Sequence, residues 1–461
     1  MKLSTLALAA GLALAGSAAQ SQVIARLSGA SAPTINEVRA LRLLCTNAAG
    51  TFALYKTASS TTSLGNICTG TCTQPFTADT VQVRLNVAGG TYSAVLNRTG
   101  NDNVVAVPLI DPAQGSCVAL GAGTGPLSFM AAGELRNCGS TGQVLETTDG
   151  GFMDVPGSVF RASGLFVPSQ VNDATDFPGA RVQQVFGVAM TKESYEALQA
   201  YQVARGQLPA TCASTVVNGN VTSFTGLGVA TPECQPNLSR AAMASFAVIG
   251  INDAKRGGFN FLLGGTATLK NDLPATQAIV PDVPLGTDFV YCRRPDTSGT
   301  QAAANLYFLS RPTASGQLGA LNTAGGAASG TQTIGANYRV TTNSGSSDVR
   351  NCLNTVGTYG GGILSLENNP IGGSDTYRFV KINGQWGSEG VAGSSQTAES
   401  AAGRYDFVYE LVKYCPGGVC VPVLDAMDNI IQAGSSSPGL FLSSESRFWR
   451  GGNPNSPYRT R

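Results

Sequence analysis

The chain has 461 residues, a formal net charge of +1 and only 12% charged residues, a sparse share for a globular protein. So weak a field offers nothing to attract nucleic acid or anionic lipid, and neither partner is expected. The sequence contains no histidine, which excludes Ser-His-Asp and Cys-His catalysis, His-ligated metals and any imidazole pH switch.

Residues 1–19 read as a secretory signal peptide. Lys2 gives a positive start, Leu3 to Leu14 an apolar run too short to span a bilayer, and Gly16-Ser17-Ala18-Ala19 a small-residue cleavage site. No cysteine lies near that site, so a lipid anchor is not expected. No later stretch is long and apolar enough to cross a membrane, so the mature chain is expected to be soluble, without membrane insertion, in the periplasm or secreted. Its length suffices for two domains with proper cores.

From there, short apolar runs alternate with amphipathic stretches, which predicts an α/β protein. In chain order, the predicted elements are strand Gln22–Leu27, helix Thr34–Cys45, strands Val81–Val87 and Val104–Pro108, strand Val182–Met190 and helix Lys192–Arg205. Helix Ser239–Phe246, strand Phe289–Cys292, helix Ala302–Leu309, strand Tyr377–Ile382 and helix Glu399–Val412 follow; the last carries β-branched and aromatic residues that suit a strand in part. Thr313–Asp348 and Gly387–Gly403 are low in complexity and read as surface loops or inserts, and Arg450–Arg461 as an irregular tail.

Eleven cysteines in an exported chain predict disulfides. Local spacing suggests Cys68 with Cys72, Cys117 with Cys138, Cys212 with Cys234, Cys292 with Cys352, and Cys415 with Cys420, leaving Cys45 over. A zinc site from Cys68, Cys72, Cys415 and Cys420 is the competing reading, against which the oxidising compartment argues. No metal or other cofactor is expected.

Two junctions share a design of strand, small polar loop and helix. Ser28-Gly29-Ala30-Ser31-Ala32 follows the first strand, and Pro33-Thr34 opens a helix. Small side chains leave the first-turn N–H groups open, at the positive end of the helix dipole, where oxyanions bind. A plain capped helix explains this loop equally well. The second junction is Arg293-Arg294-Pro295-Asp296-Thr297-Ser298-Gly299-Thr300. Ser298 and Thr300 bring hydroxyls, Gly299 permits close backbone approach, Arg294 offers a planar fork, and Asp296 is placed to hold that fork from behind. A capped helix with a surface ion pair is the alternative.

Arg-x-Asp-x-Ser-Gly-Thr at a helix start resembles the signature of the high-affinity phosphate-binding components of ABC transporters. Ser28–Ala32 resembles their first phosphate loop, and Gly89-Gly90-Thr91 their second, with Thr91 where Ser is usual. Phe152-Met153-Asp154-Val155 resembles the segment in which an Asp faces the anion; Asp149 is the other candidate, and both also suit ordinary turns beside glycines. Val185–Ala189 before Lys192–Leu198, Gly362–Glu367 and Tyr377–Ile382 resemble a crossover strand with its helix, a late strand, and the strand returning to the first domain.

The resemblance implies a type 2 periplasmic-binding-protein fold: two α/β domains, joined by two crossover strands, flanking a ligand cleft. Residues 22–181 plus 375–432 would form domain I, 182–374 domain II, and 433–461 a C-terminal tail. It implies that Ser28, Gly29, Ala30, Ser31, Ala32, Gly90, Thr91, Asp154, Arg294, Asp296, Ser298, Gly299 and Thr300 bind inorganic phosphate or a related oxyanion. It also implies an ABC-transporter membrane partner and a monomer without enzymatic activity. The chain departs from the family in its inserts and in its many cysteines. A secreted structural or adhesive protein reusing the fold is the second reading. An enzyme such as a phosphatase is the third, disfavoured by the lack of histidine and of a Gly-x-Ser-x-Gly elbow with partners.

Overall fold

The computed structural model describes residues 22–73, 80–96, 104–155, 159–160, 182–212, 215–217, 220–223, 228–247, 289–309, 330–333, 338–355, 357–391, 397–414, 422–433, 438–449 and 459–460. Residues 1–21, where a signal peptide is expected, most of Arg450–Arg461, Cys415 and Cys420 lie outside them.

The fold is mixed α/β. One sheet contains β1 (Gln22–Ser28), β2 (Phe52–Lys56), β3 (Ile67–Thr73), β4 (Thr80–Asn86), β5 (Val118–Ala119) and β6 (Leu135–Asn137), in the order β1-β4-β3-β2-β6-β5. β1 and β4 run parallel, with Ala25 opposite Val83 and Leu27 opposite Leu85. The second sheet contains β7 (Gly151–Met153), β8 (Val182–Met190), β9 (Phe289–Arg293), β10 (Gly330–Thr333), β11 (Tyr338–Thr342), β12 (Tyr359–Ser365) and β13 (Val408–Tyr414), in the order β10-β11-β9-β12-β8-β13-β7. β8 is buried along its whole length; covered on both faces, it shows no alternation of buried and exposed residues, and even Gln183 and Gln184 are fully buried. The sheets meet where β1 ends: Leu27 bridges Gly150, Ser28 N donates to Gly150 O at 3.0 Å, and Ala30 N donates to Phe152 O at 2.8 Å.

Among the described residues the α-helices are α1 (Thr34–Asn47), α2 (Thr91–Leu96), α3 (Lys192–Ala204), α4 (Arg240–Ala247), α5 (Gly299–Leu309), α6 (Ser346–Leu353), α7 (Ala398–Ala401) and α8 (Pro422–Ala433). α3 starts on Thr191, whose hydroxyl accepts from Ser194 N, as an N-cap should. α8 has Pro at its first position and an apolar stripe of Val423, Leu424, Met427 and Ile431. That stripe joins Ile35, Val38 and Leu41 of α1 in the core under the first sheet. A second large core surrounds β8, β9 and β12.

Several expectations are corrected. Glu399–Val412 is not one helix: a single turn, α7, is followed by strand β13. Val408, Tyr409, Val412 and Tyr414 are strand formers, and β13 fills the gap between β8 and β7, so tertiary pairing decides. The Thr313–Asp348 segment is not all loop: it holds β10 and β11 and the start of α6. Tyr338-Arg-Val-Thr-Thr is a local strand signal that the surrounding glycines and alanines dilute. The strand expected at Val104–Pro108 lies at Val107–Ile110 and pairs with Gln143–Glu146. Tyr377–Ile382 makes only two-residue pairings: Arg378–Phe379 on β8, and Lys381–Ile382 on Asn237–Leu238.

Disulfides join Cys117 to Cys138, Cys212 to Cys234 and Cys292 to Cys352. The fourth joins Cys45 to Cys72, with Cα atoms 5.5 Å apart; Cys68 is a buried free thiol. Cys68 and Cys72 share strand β3 four residues apart, which separates their Cα atoms by about 13 Å, far beyond disulfide reach. With Cys72 bonded, it is not available to the four-cysteine zinc set. Among the described residues no helix is long and apolar enough to cross a membrane.

Candidate functional site

Three glycines bring distant segments into backbone contact. At Gly29 an added Cβ would lie 2.3 Å from Phe152 O. Gly90 has φ +68°, and its Cβ would lie 2.7 Å from the Cα of Ser298. At Gly299 a Cβ would lie 2.2 Å from Thr91 Oγ1 and 2.7 Å from Asp154 Cβ. No side chain fits such approaches, so glycine at these points lets the Ser28–Ala32 loop, the Gly90-Thr91 turn, Asp154 and the Ser298–Thr300 turn converge. Hydrogen bonds fasten the junction. Tyr92 N donates to Thr297 O at 2.9 Å. Ser28 Oγ donates to Ser93 O at 3.0 Å, and Ala32 O accepts from Ser365 Oγ at 3.0 Å.

Asp154 lies at the meeting point, 1% exposed. Its Oδ2 accepts from Thr300 Oγ1 at 3.2 Å and from Thr91 Oγ1 at 3.4 Å. Its Oδ1 is buried and has no hydrogen-bond partner. Burial raises the carboxyl to about 7; the nearby Arg294 charge, the two threonine hydroxyls and the Thr300 backbone N–H pull the other way and lose. Asp149, the other candidate, instead accepts from Arg26 N at 2.8 Å and serves the turn.

Arg294 is fully buried. Its guanidinium donates to Asn343 O at 3.0 Å, to Ser344 O at 2.7 Å, and to Ser31 Oγ. Burial lowers it to about 10, with Asp154 and Asp348 opposing that shift. Asp296 does not hold this fork. It is ion-paired with Arg293, because successive strand residues point to opposite sides. Ser298 caps α5: its carbonyl accepts from Ala302 N at 2.9 Å, and its hydroxyl from Gln301 N at 3.4 Å.

The sequence reading missed a further helix start. Ser31 Oγ shares a 2.9 Å hydrogen bond with Ser346 Oγ, the first residue of α6. Asp348 accepts from Gly345 N at 3.0 Å and from Ser344 Oγ at 2.6 Å. An acid at the third helical position is a readable N-terminal signal, but it lies inside the low-complexity segment. Glu367 was missed as a site residue as well. Its Oε1 accepts from Ile35 N at 3.3 Å, and its Oε2 from Asn36 N at 3.3 Å and Asn36 Nδ2 at 3.0 Å. The first-turn amides of α1 therefore already face a carboxylate. A small pocket between the N-termini of α1 and α6 is lined by Ser31, Thr34, Ile35, Ser346, Arg350 and Glu367.

No protein-family model matches the chain, and no curated protein matches it. Among solved structures it is similar to a putative phosphate ABC transporter substrate-binding protein with bound phosphate from Clostridium perfringens. That likeness has a TM-score of 0.38 at 9% identity and covers 88% of this chain and 92% of that one. A likeness so distant carries no functional weight, whereas the arrangement of Arg294 and Asp154 does.

Chemically, the cluster combines a buried cation, serine and threonine hydroxyls, helix N-termini and one carboxyl with an unused acceptor oxygen. Donors of this kind bind a small oxyanion with little net charge. The spare acceptor suits an anion that brings its own proton.

Proposed function

We propose that this chain is an exported solute-binding protein that takes a small tetrahedral oxyanion, phosphate first, at the Arg294–Asp154 cluster. On this reading the residues around the cluster belong to the two sides of a ligand cleft, with 22–181 and 375–432 facing 182–374. A membrane transporter of the ABC type would receive the ligand. The observation that carries the reading is Asp154 Oδ1, a buried acceptor with no partner beside a buried guanidinium. Phosphate near neutral pH still carries a proton that such an oxygen can accept; sulfate carries none and meets the carboxylate as a like charge. Calorimetry with phosphate and sulfate at about pH 8.5, where Asp154 is ionised and phosphate still carries a proton, on the wild type and Asp154→Asn tests it. The wild type should bind phosphate and reject sulfate, and the variant should narrow the gap. Equal affinity of the wild type for both anions would refute the phosphate assignment.

One observation favours the second reading, a secreted structural protein. The Arg294 guanidinium already has three protein acceptors in Ser31, Asn343 and Ser344, as a purely structural latch would. Equilibrium dialysis with labelled phosphate separates the two: a latch retains none.

A further inference from the structure

A cavity of about 350 Å³ opens beside the first turn of α3, a size at which small molecules are held. None of the residues lining it belongs to the Arg294–Asp154 cluster. Lys192, Tyr195 and Glu196 face it from one side of α3, at the spacing of helical neighbours. Gly228 forms a second wall. Its N–H donates to Gln199 Oε1 at 2.8 Å, and the carbonyl of the next residue, Val229, accepts from the Tyr195 hydroxyl at 2.7 Å. Residues 373–376 form a third wall, fastened to the end of α6. Asp375 accepts from Arg350 at 2.6 Å and from Asn354 Nδ2 at 2.7 Å, and Thr376 N donates to Asn354 Oδ1 at 2.8 Å. The walls are therefore set before a ligand arrives, which lowers the cost of binding.

Arg378 completes the lining. It pairs with Met190 at the end of β8, two residues before α3 begins. Its Nη1 donates to Asp375 O at 3.0 Å and to Tyr377 O at 2.8 Å, which fixes the guanidinium. Its Nε is buried without a partner. Among the described residues its Nη2 makes no hydrogen bond and no carboxylate pairs with it, since the Asp375 side chain is spent on Arg350 and Asn354. A fixed guanidinium with donors to spare suits a carboxylate. Glu196 has the opposite need: its Oε2 accepts from Lys192 Nζ at 2.8 Å, and among the described residues its Oε1 has no donor. An inorganic dianion meets that carboxylate as a like charge, and a simple cation meets Arg378 in the same way. We propose that this cavity is a second ligand site, for a small carboxylate with a hydrogen-bond donor on its α-carbon: the carboxylate on Arg378, the donor on Glu196. The site does not depend on whether the Arg294–Asp154 cluster binds an anion.

The backbone amide resonances of Gly228, Ser374 and Thr376 report entry into the cavity. L-alanine or L-lactate, added to about 20 mM, should shift all three saturably, with a Kd on the order of 1 mM; the two probes separate an ammonium donor from a hydroxyl. Propionate keeps the carboxylate and lacks the donor, so it should bind at least about tenfold more weakly, the worth of one charge-assisted hydrogen bond. Ethylamine, without a carboxylate, should leave the amides unmoved. Arg378→Gln should weaken every carboxylate by at least about tenfold. Glu196→Ala breaks only a surface ion pair and should leave the fold intact. It should reduce L-alanine and L-lactate to the affinity of propionate and leave propionate unchanged. If neither L-alanine nor L-lactate moves the wild-type amides, the site does not exist. Propionate binding as tightly as they do, or unchanged affinity in Glu196→Ala, overturns the donor contact and with it the ligand class. Unchanged affinity in Arg378→Gln overturns the carboxylate contact.

Discussion

Replacing Asp154 by asparagine isolates the electrostatic cost built into the site. The carboxyl is raised from 3.8 to about 7 in the folded protein, chiefly by burial. The folded value lies above the unfolded one, so the folded state holds the proton more tightly. The stability this contributes is complete below about pH 4 and is lost as pH rises through about 7. A difference of roughly three pH units corresponds to about 4 kcal/mol. Asparagine has nearly the same shape and no charge, so that loss disappears. Its amide group will meet the space near Oδ1, which shifts stability by a constant across pH; the lost attraction to Arg294 is already contained in the shifted carboxyl value. Urea unfolding of both proteins at about pH 5 and about pH 8.5 therefore measures the pH-dependent part alone. The variant should gain about 2.5–3 kcal/mol relative to wild type between the two conditions, since part of the full difference is already lost by pH 5. A stability difference that stays constant to within about 0.5 kcal/mol would mean that Asp154 is not held in a desolvated site.

Arg294→Ala removes the cation from the same cluster, leaving the Asn343 and Ser344 carbonyls without their donor and Asp154 without a neighbouring positive charge. Thermal and urea unfolding should show a loss of about 2–5 kcal/mol from the two buried carbonyls, and a loss under about 1 kcal/mol contradicts their dependence on this guanidinium. Gly299→Ala drives a methyl into Thr91 and Asp154 and should cost about 1–3 kcal/mol; unchanged melting would place these segments further apart. Peptide mapping without reduction should recover a Cys45–Cys72 linked peptide, with Cys68 alkylated only after unfolding. Recovery of Cys68 linked to Cys72 would refute the packing of α1 on β3.

Features decided by near neighbours were legible in the sequence. β1, α1, β8, α3 and α5 follow from apolar runs, helix periodicity and caps, and three disulfides from cysteines 21, 22 and 60 residues apart. What depended on distant partners was not. Cys72 bonds Cys45 because α1 lies across β3, and local spacing holds no record of that. β13 is a strand because β8 and β7 leave it a place, and α6 hides in a segment whose average composition resembles a linker. Within the site, the Arg294–Thr300 turn declared itself, but the partner of Asp296 was missed by one residue, and with it the side of the strand that faces the interior. The glycines carry the sharper lesson. Gly29, Gly90 and Gly299 read naturally as openings that expose backbone to a ligand. In the folded chain each is pressed against another segment of the protein: Phe152, Ser298, and Thr91 with Asp154. Small residues at a junction report close approach of something, and here that something includes the chain itself. The Gly-rich loops therefore cannot distinguish an anion site from a tightly packed seam. A buried carboxylate oxygen left without a donor beside a buried guanidinium adds what the loops lack, although Glu193 Oε2 shows that a donorless carboxylate oxygen also occurs away from this cluster. The functional reading thus hangs on Asp154 Oδ1 more than on the motif that first suggested it.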